Sequence, residues 1–323
     1  MGRAPSLLVL VLVLALGLAG SGCLRFAGEA GGQGSAIVAA ERLELPGRGA
    51  IRIVDRNPAG RETVLLVHGY GASSASFKPV VAELALDRRV IAVDLPGFGA
   101  SDRLEGDYSP DALADELVRV LDARHIPRAH VIGHSWGASV ALAFALRHPD
   151  RLGRLVVISG WVFDDQLLPL MRWAAVPGLG ELLFATFFPQ ALGERIYFNF
   201  HDPGLVTEKV VDDIRDKADR AGSTAVALAA ARGMVKSFPE NEKRYREIGA
   251  DTLLLWGADD RVARVGFGER LARQLPHAQL VVLPACGHIP MWECTAGVSE
   301  ALRVFFGPAP LPLAAGTSPR EQL

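Results

Sequence analysis

Val131-Ile132-Gly133-His134-Ser135-Trp136-Gly137 is the stretch that decides the fold predicted for this chain. An apolar run over residues 129–132 leads into it, and an alanine-rich amphipathic segment, Ala138 to Leu146, follows directly. The pattern predicts a strand that turns sharply into a helix, with Ser135 strained at the apex and its hydroxyl exposed above the sheet. Glycine is required two residues before and after Ser135 because a Cβ there would collide in the tight crossing.

Further apolar runs predict strands that alternate with helices. Two alternating segments, Arg42–Leu45 and Ala50–Val54, predict half-buried antiparallel edge strands. Continuous apolar runs predict buried strands at Thr63–Val67, Arg89–Val93, Leu155–Ser159, Asp251–Trp256 and Gln279–Leu283. Helices are predicted at Ser76–Leu86, at Asp111–Ala123 with Ser109 as N-cap, at Arg264–Gln274 and at Met291–Phe306. This alternation predicts the α/β class, with a mostly parallel central sheet covered by helices on both faces.

The alternation stops between Trp161 and Ile248, where the sequence contains no clear buried strand. Helices are predicted there over Gln166–Ala175, Thr207–Ala218 and Thr224–Met234. We therefore expect residues 161–248 to form a helical insertion, which has the size of a small subdomain. Its aromatic side chains either line a substrate pocket or pack the insertion against the core.

Five motifs stand at the ends of predicted strands. They are His68-Gly69-Tyr70-Gly71, Asp94-Leu95-Pro96-Gly97-Phe98-Gly99, Gly133-His134-Ser135-Trp136-Gly137, Gly257-Ala258-Asp259-Asp260-Arg261-Val262 and Cys286-Gly287-His288. On these motifs the chain resembles the alpha/beta-hydrolase superfamily of esterases, lipases and related serine hydrolases, in the form that carries a helical cap. The resemblance implies an alpha/beta-hydrolase core over residues 42–160 and 249–306, with residues 161–248 as the cap.

Ser135 is the candidate nucleophile, and a serine hydroxyl needs a base within hydrogen-bond reach. His288 is the best placed of the eight histidines, because it follows a predicted strand through a short turn late in the chain. A third group must orient the imidazole and stabilise it when protonated. In similar proteins this acid stands three residues after the glycine that corresponds to Gly257, which selects Asp260 and leaves Asp259 as a turn residue. The order Ser, Asp, His is the one expected for this fold.

The developing oxyanion needs two amide donors. The resemblance places them at the backbone N–H groups of Tyr70 and Trp136, and their side chains are expected to be free to shape the pocket. His68 is expected to brace the oxyanion turn. His134, next to the nucleophile, is expected to point away from the reaction and to be structural.

The turn that follows the second buried strand carries three more residues of interest. Asp94 is expected to be architectural and to hold this turn beside the active site. Asp102 and Arg103 are expected to pair with each other there.

The resemblance implies an enzyme that hydrolyses small carboxylic esters, including lipidic ones, through an acyl-enzyme intermediate. A serine at position 135 argues against epoxide hydrolases and haloalkane dehalogenases, which use aspartate there. Two other enzyme classes stay open: hydrolases of carbon–carbon bonds in ring-cleavage products, and amide-directed peptidases. This chain resembles the carbon–carbon hydrolases at Trp292-Glu293. It differs from them at Ile289, where those enzymes have an aromatic residue. A catalytically inactive, lipid-tethered binding protein on the same fold is the non-enzyme alternative.

Composition sets further limits. The chain has 323 residues, of which 50% are hydrophobic, so it can bury a large core. Its formal charge of −2 comes without the basic stripe that nucleic acids require. The expected mechanism needs no metal and no organic cofactor, and the three cysteines show no metal-binding spacing. Cys286 and Cys294 either form a disulfide, as exported proteins permit, or remain buried thiols.

Residues 1–23 predict an export signal: Arg3 is followed by an apolar run, Leu7–Leu18, and by small residues before Cys23. The run is shorter than the roughly 20 residues of a membrane-spanning helix. Cys23 after small residues resembles a bacterial lipoprotein signal, which implies lipidation of Cys23 and tethering to a membrane of the cell envelope. Secretion to the periplasm or beyond and an uncleaved anchor stay open. Residues 24–41 are expected to be a flexible tether, and residues 307–323 a disordered tail.

Overall fold

An eight-stranded mixed β-sheet organises the part of the chain that the structure describes. The computed structural model describes residues 40–186 and 196–307. The strands are β1 (Ala40–Leu45), β2 (Gly49–Arg56), β3 (Thr63–Val67), β4 (Arg89–Val93), β5 (Ala129–His134), β6 (Leu152–Ile158), β7 (Thr252–Gly257) and β8 (Ala278–Leu283). They are hydrogen-bonded in the order β1-β2-β4-β3-β5-β6-β7-β8. β2 is antiparallel to both of its neighbours, and all the other pairings are parallel. The predicted antiparallel edge and parallel centre are confirmed.

Helices connect the strands. They are α1 (Lys78–Leu84), α2 (Pro110–Ala123), α3 (Trp136–Arg147), α4 (Pro169–Ala174), α5 (Glu208–Ala218), α6 (Ser223–Glu242), α7 (Val265–Gln274), α8 (Pro290–Glu293) and α9 (Thr295–Phe306). Residues 179–186 are also helical. Ser109 caps α2 as predicted, because its side chain accepts a hydrogen bond from the amide of Ala112 at 3.2 Å.

The sheet has a hydrophobic core on each face, which explains the continuous apolar runs of its central strands. Leu65 and Val67 pack in the cluster that includes residues of α2 and α3. Val64 and Leu66 point the other way, into the cluster that includes residues of α1 and α9. Successive side chains of a strand point to opposite faces. A strand between two layers of helices must therefore be apolar at every position.

Several helices differ from their predicted bounds. The helix predicted over Gln166–Ala175 is a 3₁₀ turn, Asp164–Gln166, followed by α4. The helix predicted from Ser76 begins earlier, as a 3₁₀ turn over Ser74–Phe77. α6 continues past the predicted end at Met234 and through Pro239, because Phe238 and Asn241 are buried on its last turns. The helix predicted over Met291–Phe306 divides at Cys294, whose φ of −124° and ψ of 39° are not helical. Cys294 is joined to Cys286 in a disulfide, which is one of the two alternatives that the sequence left open.

Several expectations concern residues at or beyond the limits of the structure. The flexible tether predicted over residues 24–41 extends two residues too far. Ala40 and Glu41 already belong to β1, where they pair with Val54 and Ile53 of β2. These two positions are exposed and give no apolar signal. The export signal over residues 1–23, Cys23 and the tail after Gly307 lie outside the described residues. Within residues 40–186 and 196–307, no helix combines the length and the apolar character needed to cross a bilayer.

The two glycines that flank Ser135 bring α3 against the sheet. A Cβ on Gly133 would lie 2.4 Å from the carbonyl oxygen of Gly137. A Cβ on Gly137 would lie 2.3 Å from the carbonyl oxygens of both Val67 and His68, at the end of β3. Neither backbone can move away without breaking the sheet. The predicted need for glycine at both positions is therefore confirmed.

The turn after β4 is held by a buried carboxylate. Asp94 accepts hydrogen bonds from the amides of Ser74 and Ala100, both at 2.8 Å, and Ser101 donates to its carbonyl oxygen at 2.6 Å. Burial alone would raise the pKa of Asp94, but the neighbouring His68 and these hydrogen bonds hold it below its ordinary value. Asp94 has the architectural contacts that the sequence predicts.

Asp102 and Arg103 do not pair with each other, so that prediction is wrong. Asp102 binds Arg42 at 2.6 Å and accepts the amide of Ala50 at 2.8 Å, which fastens the turn to the edge strands. Arg103 points the other way and donates to the hydroxyl of Ser223 at 2.9 Å. It therefore fastens the same turn to the start of α6, a partner 120 residues away that no local pattern indicates.

The close packing of α3 against β3 at Gly137 can be tested by adding a single methyl group. Gly137→Ala is expected to lower the free energy of unfolding by about 1–3 kcal/mol, because the added Cβ meets backbone atoms that cannot move aside. Urea denaturation measures this change. Gly266→Ala is the matched control, since no atom lies within 4 Å of the Cβ it would add. Equal shifts of the two unfolding midpoints would contradict the packing argument.

The carboxylate of Asp94 gives a pH-dependent prediction. Its pKa is lower in the folded chain than the value of about 3.9 expected for an unfolded one. Its ionic contribution is therefore complete above about pH 4 and is lost as the pH falls through the folded pKa. Asp94→Asn should lower stability by about 1–3 kcal/mol at pH 7, because one buried amide loses its acceptor. Urea midpoints of both proteins between pH 7 and pH 3 should converge below about pH 4. A difference between the two urea midpoints that does not change with pH would contradict the role assigned to the Asp94 carboxylate.

Candidate active site

Ser135 lies at the turn between β5 and α3, in a conformation that serine rarely adopts. Its φ is 53° and its ψ is −122°, which is a strained region for a residue with a Cβ. The turn is fixed on both sides, because the Ser135 amide donates to Ile158 at 2.9 Å and its carbonyl oxygen accepts from Trp161 at 3.0 Å. Ser135 is only 7% exposed. The hydroxyl predicted above the sheet thus belongs to a largely buried residue, and the Gly69 turn lies against its Cβ.

A histidine and an aspartate complete a hydrogen-bonded chain with Ser135. His288 Nε2 lies 3.0 Å from Ser135 Oγ, and His288 Nδ1 lies 2.9 Å from Asp260 Oδ2. The other carboxylate oxygen of Asp260 accepts the amides of Val262 and Ala263 at 2.9 and 2.8 Å. Ser135, His288 and Asp260 are all buried. The structure thus brings together the three residues that the sequence singled out.

This arrangement fixes the protonation states that a nucleophilic serine needs. A carboxylate can only accept, so His288 Nδ1 carries the proton and Nε2 is left to accept the serine hydroxyl. Burial works to raise the pKa of Asp260, but His288 and the two backbone amides lower it below its ordinary value. Asp260 is therefore ionised at neutral pH and lies against the Nδ1 side of the imidazole ring that becomes positively charged when Nε2 takes the serine proton.

The two residues that carry the candidate oxyanion donors have side chains in contact. Tyr70 follows β3 and Trp136 is the first residue of α3, where helix amides have no partner in the preceding turn. Their rings meet edge to face, with centroids 5.7 Å apart, and the ring of Phe98 packs on Trp136 at 5.2 Å. A Cβ on Gly69 would lie 3.0 Å from the Cβ of Ser135, so the Tyr70 loop also touches the nucleophile.

The side chains of Tyr70 and Trp136 are not free, contrary to expectation. Trp136 is fully buried. The Tyr70 hydroxyl donates to the carbonyl oxygen of Ala227 on α6 at 2.8 Å. Burial raises the pKa of Tyr70 well above its ordinary value, so the hydroxyl remains a neutral donor. The oxyanion loop is therefore tied to the helical segment that follows β6.

Two further histidines support the site. His68 accepts the amide of Leu95 at Nε2 at 3.0 Å, and its Nδ1 donates to Gly69 at 2.8 Å. It braces the oxyanion turn, as predicted. His134 has the structural role that the sequence predicts, because its Nε2 donates to the backbone carbonyl oxygen of His288 at 2.8 Å. Burial, and then the charge of His288, lower the pKa of His134 to about 3, so it stays neutral.

Residues that the sequence did not single out as part of the site also hold the histidine loop. His288 donates its amide to Asn199 at 2.6 Å, and Glu293 accepts the amides of Gly287 and His201 at 3.1 and 2.6 Å. The sequence indicates Glu293 only through its resemblance to the carbon–carbon hydrolases, because its partner His201 lies 92 residues away and leaves no local pattern. Among residues 40–186 and 196–307, no three side chains form a group suited to hold a metal ion.

Comparisons with known proteins agree with this geometry. The family model described as alpha/beta hydrolase fold matches residues 62–294. A 2-hydroxy-6-oxononadienedioate/2-hydroxy-6-oxononatrienedioate hydrolase of Paraburkholderia phymatum is 33% identical over 259 residues, which are 77% of this chain and 88% of that protein. A 2-hydroxy-6-oxo-6-phenylhexa-2,4-dienoate hydrolase of Burkholderia cepacia is 29% identical over 247 residues, covering 73% and 85%.

A solved structure with the same fold is an esterase. The thermophilic esterase of Thermogutta terrifontis superposes with a TM-score of 0.69 at 26% identity, and the match covers 83% of this chain and 98% of the esterase. The strand order, the strained serine at the end of β5 and the family match over residues 62–294 lead to one conclusion. The chain belongs to the alpha/beta hydrolase family.

Proposed function

We propose that this hydrolase cleaves a carbon–carbon bond next to a ketone in an unsaturated oxo acid, with Ser135 as nucleophile, His288 as general base and acid, and Asp260 as the orienting carboxylate. The observation that carries the proposal is the chain of two hydrogen bonds from Ser135 through His288 to Asp260. An arrangement of this kind activates a serine to attack a carbonyl carbon.

The proposed reaction begins with attack of Ser135 Oγ on the ketone carbon while His288 takes the serine proton. The negative charge that develops on the ketone oxygen is held by the amides of Tyr70 and Trp136. Collapse of this intermediate breaks the carbon–carbon bond, the electron pair of the bond passes to the departing group, and His288 delivers its proton to that group. Water, deprotonated by His288, then attacks the acyl-enzyme and releases the second acid.

The leaving group decides which substrates are possible. A carbanion departs only when its electron pair is delocalised. In the 2-hydroxy-diene the carbon bonded to the ketone is vinylic, and its electron pair would lie outside the π system. Ser135 must therefore attack the 2-oxo-3-ene tautomer, which forms when the 2-hydroxyl proton moves to that carbon and which takes up the departing pair as a conjugated enolate. The names of the two relatives describe compounds of this kind, with a 6-oxo group and a diene between a carboxylate and the ketone. We infer the same substrate class for this chain from its identity of 33% with the first of them.

Hydrolysis of carboxylic esters is the second candidate. Ile289 stands where the carbon–carbon hydrolases have an aromatic residue, and the His134-Ser135-Trp136 elbow also differs from theirs. An ester requires the same attack and the same oxyanion donors, but its leaving group is an alkoxide that one proton from His288 is sufficient to stabilise. The two candidates share the first chemical step and separate at the second.

The nucleophile and its acid can be tested with a fluorophosphonate probe. The wild-type chain should be labelled, and Ser135→Ala should not be. Asp260→Asn should slow labelling by roughly 10³–10⁴-fold, because the histidine loses its fixed tautomer. Labelling rates are read by intact-protein mass spectrometry.

Asp122→Asn is the matched control for this test. Asp122 forms a surface ion pair with Arg151 at 2.8 Å, and pairs of this kind contribute little to stability, about 0–1 kcal/mol. Its labelling rate should stay within about threefold of wild type. Equal labelling of Ser135→Ala and wild type would refute the assignment of the nucleophile.

The substrate class is tested by two panels. Ring-cleavage products that carry the 2-hydroxy-6-oxo-diene are followed by the loss of their conjugated absorbance, and p-nitrophenyl esters from acetate to palmitate by release of nitrophenol. We expect kcat/KM for at least one dienoate to exceed that for every ester by about tenfold or more, which corresponds to about 1.4 kcal/mol. Turnover of esters alone would favour the second candidate. Turnover of neither by a labelled protein would shift the proposal to amides.

A further inference from the structure

We propose that Glu293 is a positioning residue for His288, and that its carboxylate couples the histidine loop, residues 286–294, to the segment Asn199–His201. This inference rests on the roles proposed above for Ser135 and His288. It assigns to Glu293 an effect on the rate of proton transfer at Ser135, although its side chain does not contact Ser135.

Both oxygens of the Glu293 carboxylate are bound to backbone amides. Oε1 accepts from Gly287, the residue before His288, at 3.1 Å, and Oε2 accepts from His201 at 2.6 Å. Hydrogen bonds from neutral amides to a carboxylate are about twice as strong as those between neutral groups. A single side chain therefore joins two backbone segments that lie more than 80 residues apart in sequence.

The segment Asn199–His201 makes three contacts with the loops that carry the triad. The carbonyl oxygen of Asn199 accepts the amide of His288 at 2.6 Å. The amide of His201 donates to Glu293, and its ring lies 2.8 Å from the carboxylate of Asp259, next to Asp260. One short segment from the region between β6 and β7 thus touches both the histidine loop and the acid loop.

The histidine loop packs closely against the groups that hold it. A Cβ on Gly287 would lie 2.6 Å from the His201 amide, and 2.7 Å from both Asn199 O and Glu293 Oε1. The other side of Gly287 is equally close, because a Cβ on Gly257 would lie 2.2 Å from its carbonyl oxygen. Gly287 is therefore packed between the end of β7 and the Glu293 carboxylate, and its position fixes that of His288.

The disulfide does not replace this support. It joins Cys286 to Cys294 at the two ends of the loop, whereas Glu293 and Asn199 hold the amides of Gly287 and His288 between them. Serine activation depends on the 3.0 Å contact between His288 Nε2 and Ser135 Oγ. A displacement of about 1 Å at a reacting group is enough to reduce a rate by about 10²-fold.

Inactivation by a saturable fluorophosphonate separates positioning from binding. For Glu293→Ala, we expect the maximal inactivation rate, kinact, to fall about 10–100-fold while the half-saturating concentration, KI, stays within about threefold. Glu293→Gln keeps the shape but can accept only one of the two amides, so its kinact should lie between those of Glu293→Ala and wild type. Thermal unfolding checks that the variants are folded, and Glu293→Gln, which keeps the side-chain shape, provides the test if Glu293→Ala does not fold.

Glu300→Gln on α9 is the matched control, because it removes the same charge from an exposed pair with Arg303. Its kinact should equal that of wild type. Folded Glu293 variants with wild-type kinact would overturn the inference, as would a change confined to KI. Failure of the wild-type chain to react at all is a different result, because it would refute the proposed role of Ser135 itself.

Discussion

The close crossing of α3 over the ends of β3 and β5 is the constraint on which the site depends. Gly137 lies so near the backbone of β3 that even a methyl group would meet two carbonyl oxygens at 2.3 Å. This proximity leaves Ser135 with a φ of 53° and places it against the oxyanion loop. The strain is held by the sheet, since the Ser135 amide remains bonded to β6. Nucleophile, oxyanion donors and histidine loop all take their positions relative to this turn.

Most of the core and the triad could be predicted from the sequence for a physical reason. Central strands are apolar at every position because both faces of the sheet are covered, so their ends are visible in the sequence. Parallel strands bring their carboxyl ends to one edge of the sheet, and ligands bind there. Ser135, Asp260 and His288 each follow such an end, which is why three residues distant in sequence were assigned to one site before any distance was known.

The contacts made by the segment between β6 and β7 could not be predicted. Asn199, His201 and Ala227 take part through backbone atoms, which no residue type encodes. Their partners lie 157 residues away for Ala227 and 92 for His201. The same limit applies to His134, whose structural role was predicted but whose partner, the backbone carbonyl of His288, lies 154 residues away. These contacts connect the oxyanion loop and the histidine loop to the segment between β6 and β7.

A covalent intermediate on Ser135 is the central claim, and rapid acid quench followed by peptide mass spectrometry tests it most directly. A substrate of the 2-hydroxy-6-oxo-diene class, or an ester if that is what the chain hydrolyses, is mixed with the protein and quenched during the first turnover. The peptide that contains Ser135 should then carry the mass of the acyl fragment, and this adduct should decay as product forms. Steady turnover with an unmodified Ser135 peptide at every quench time would contradict the account.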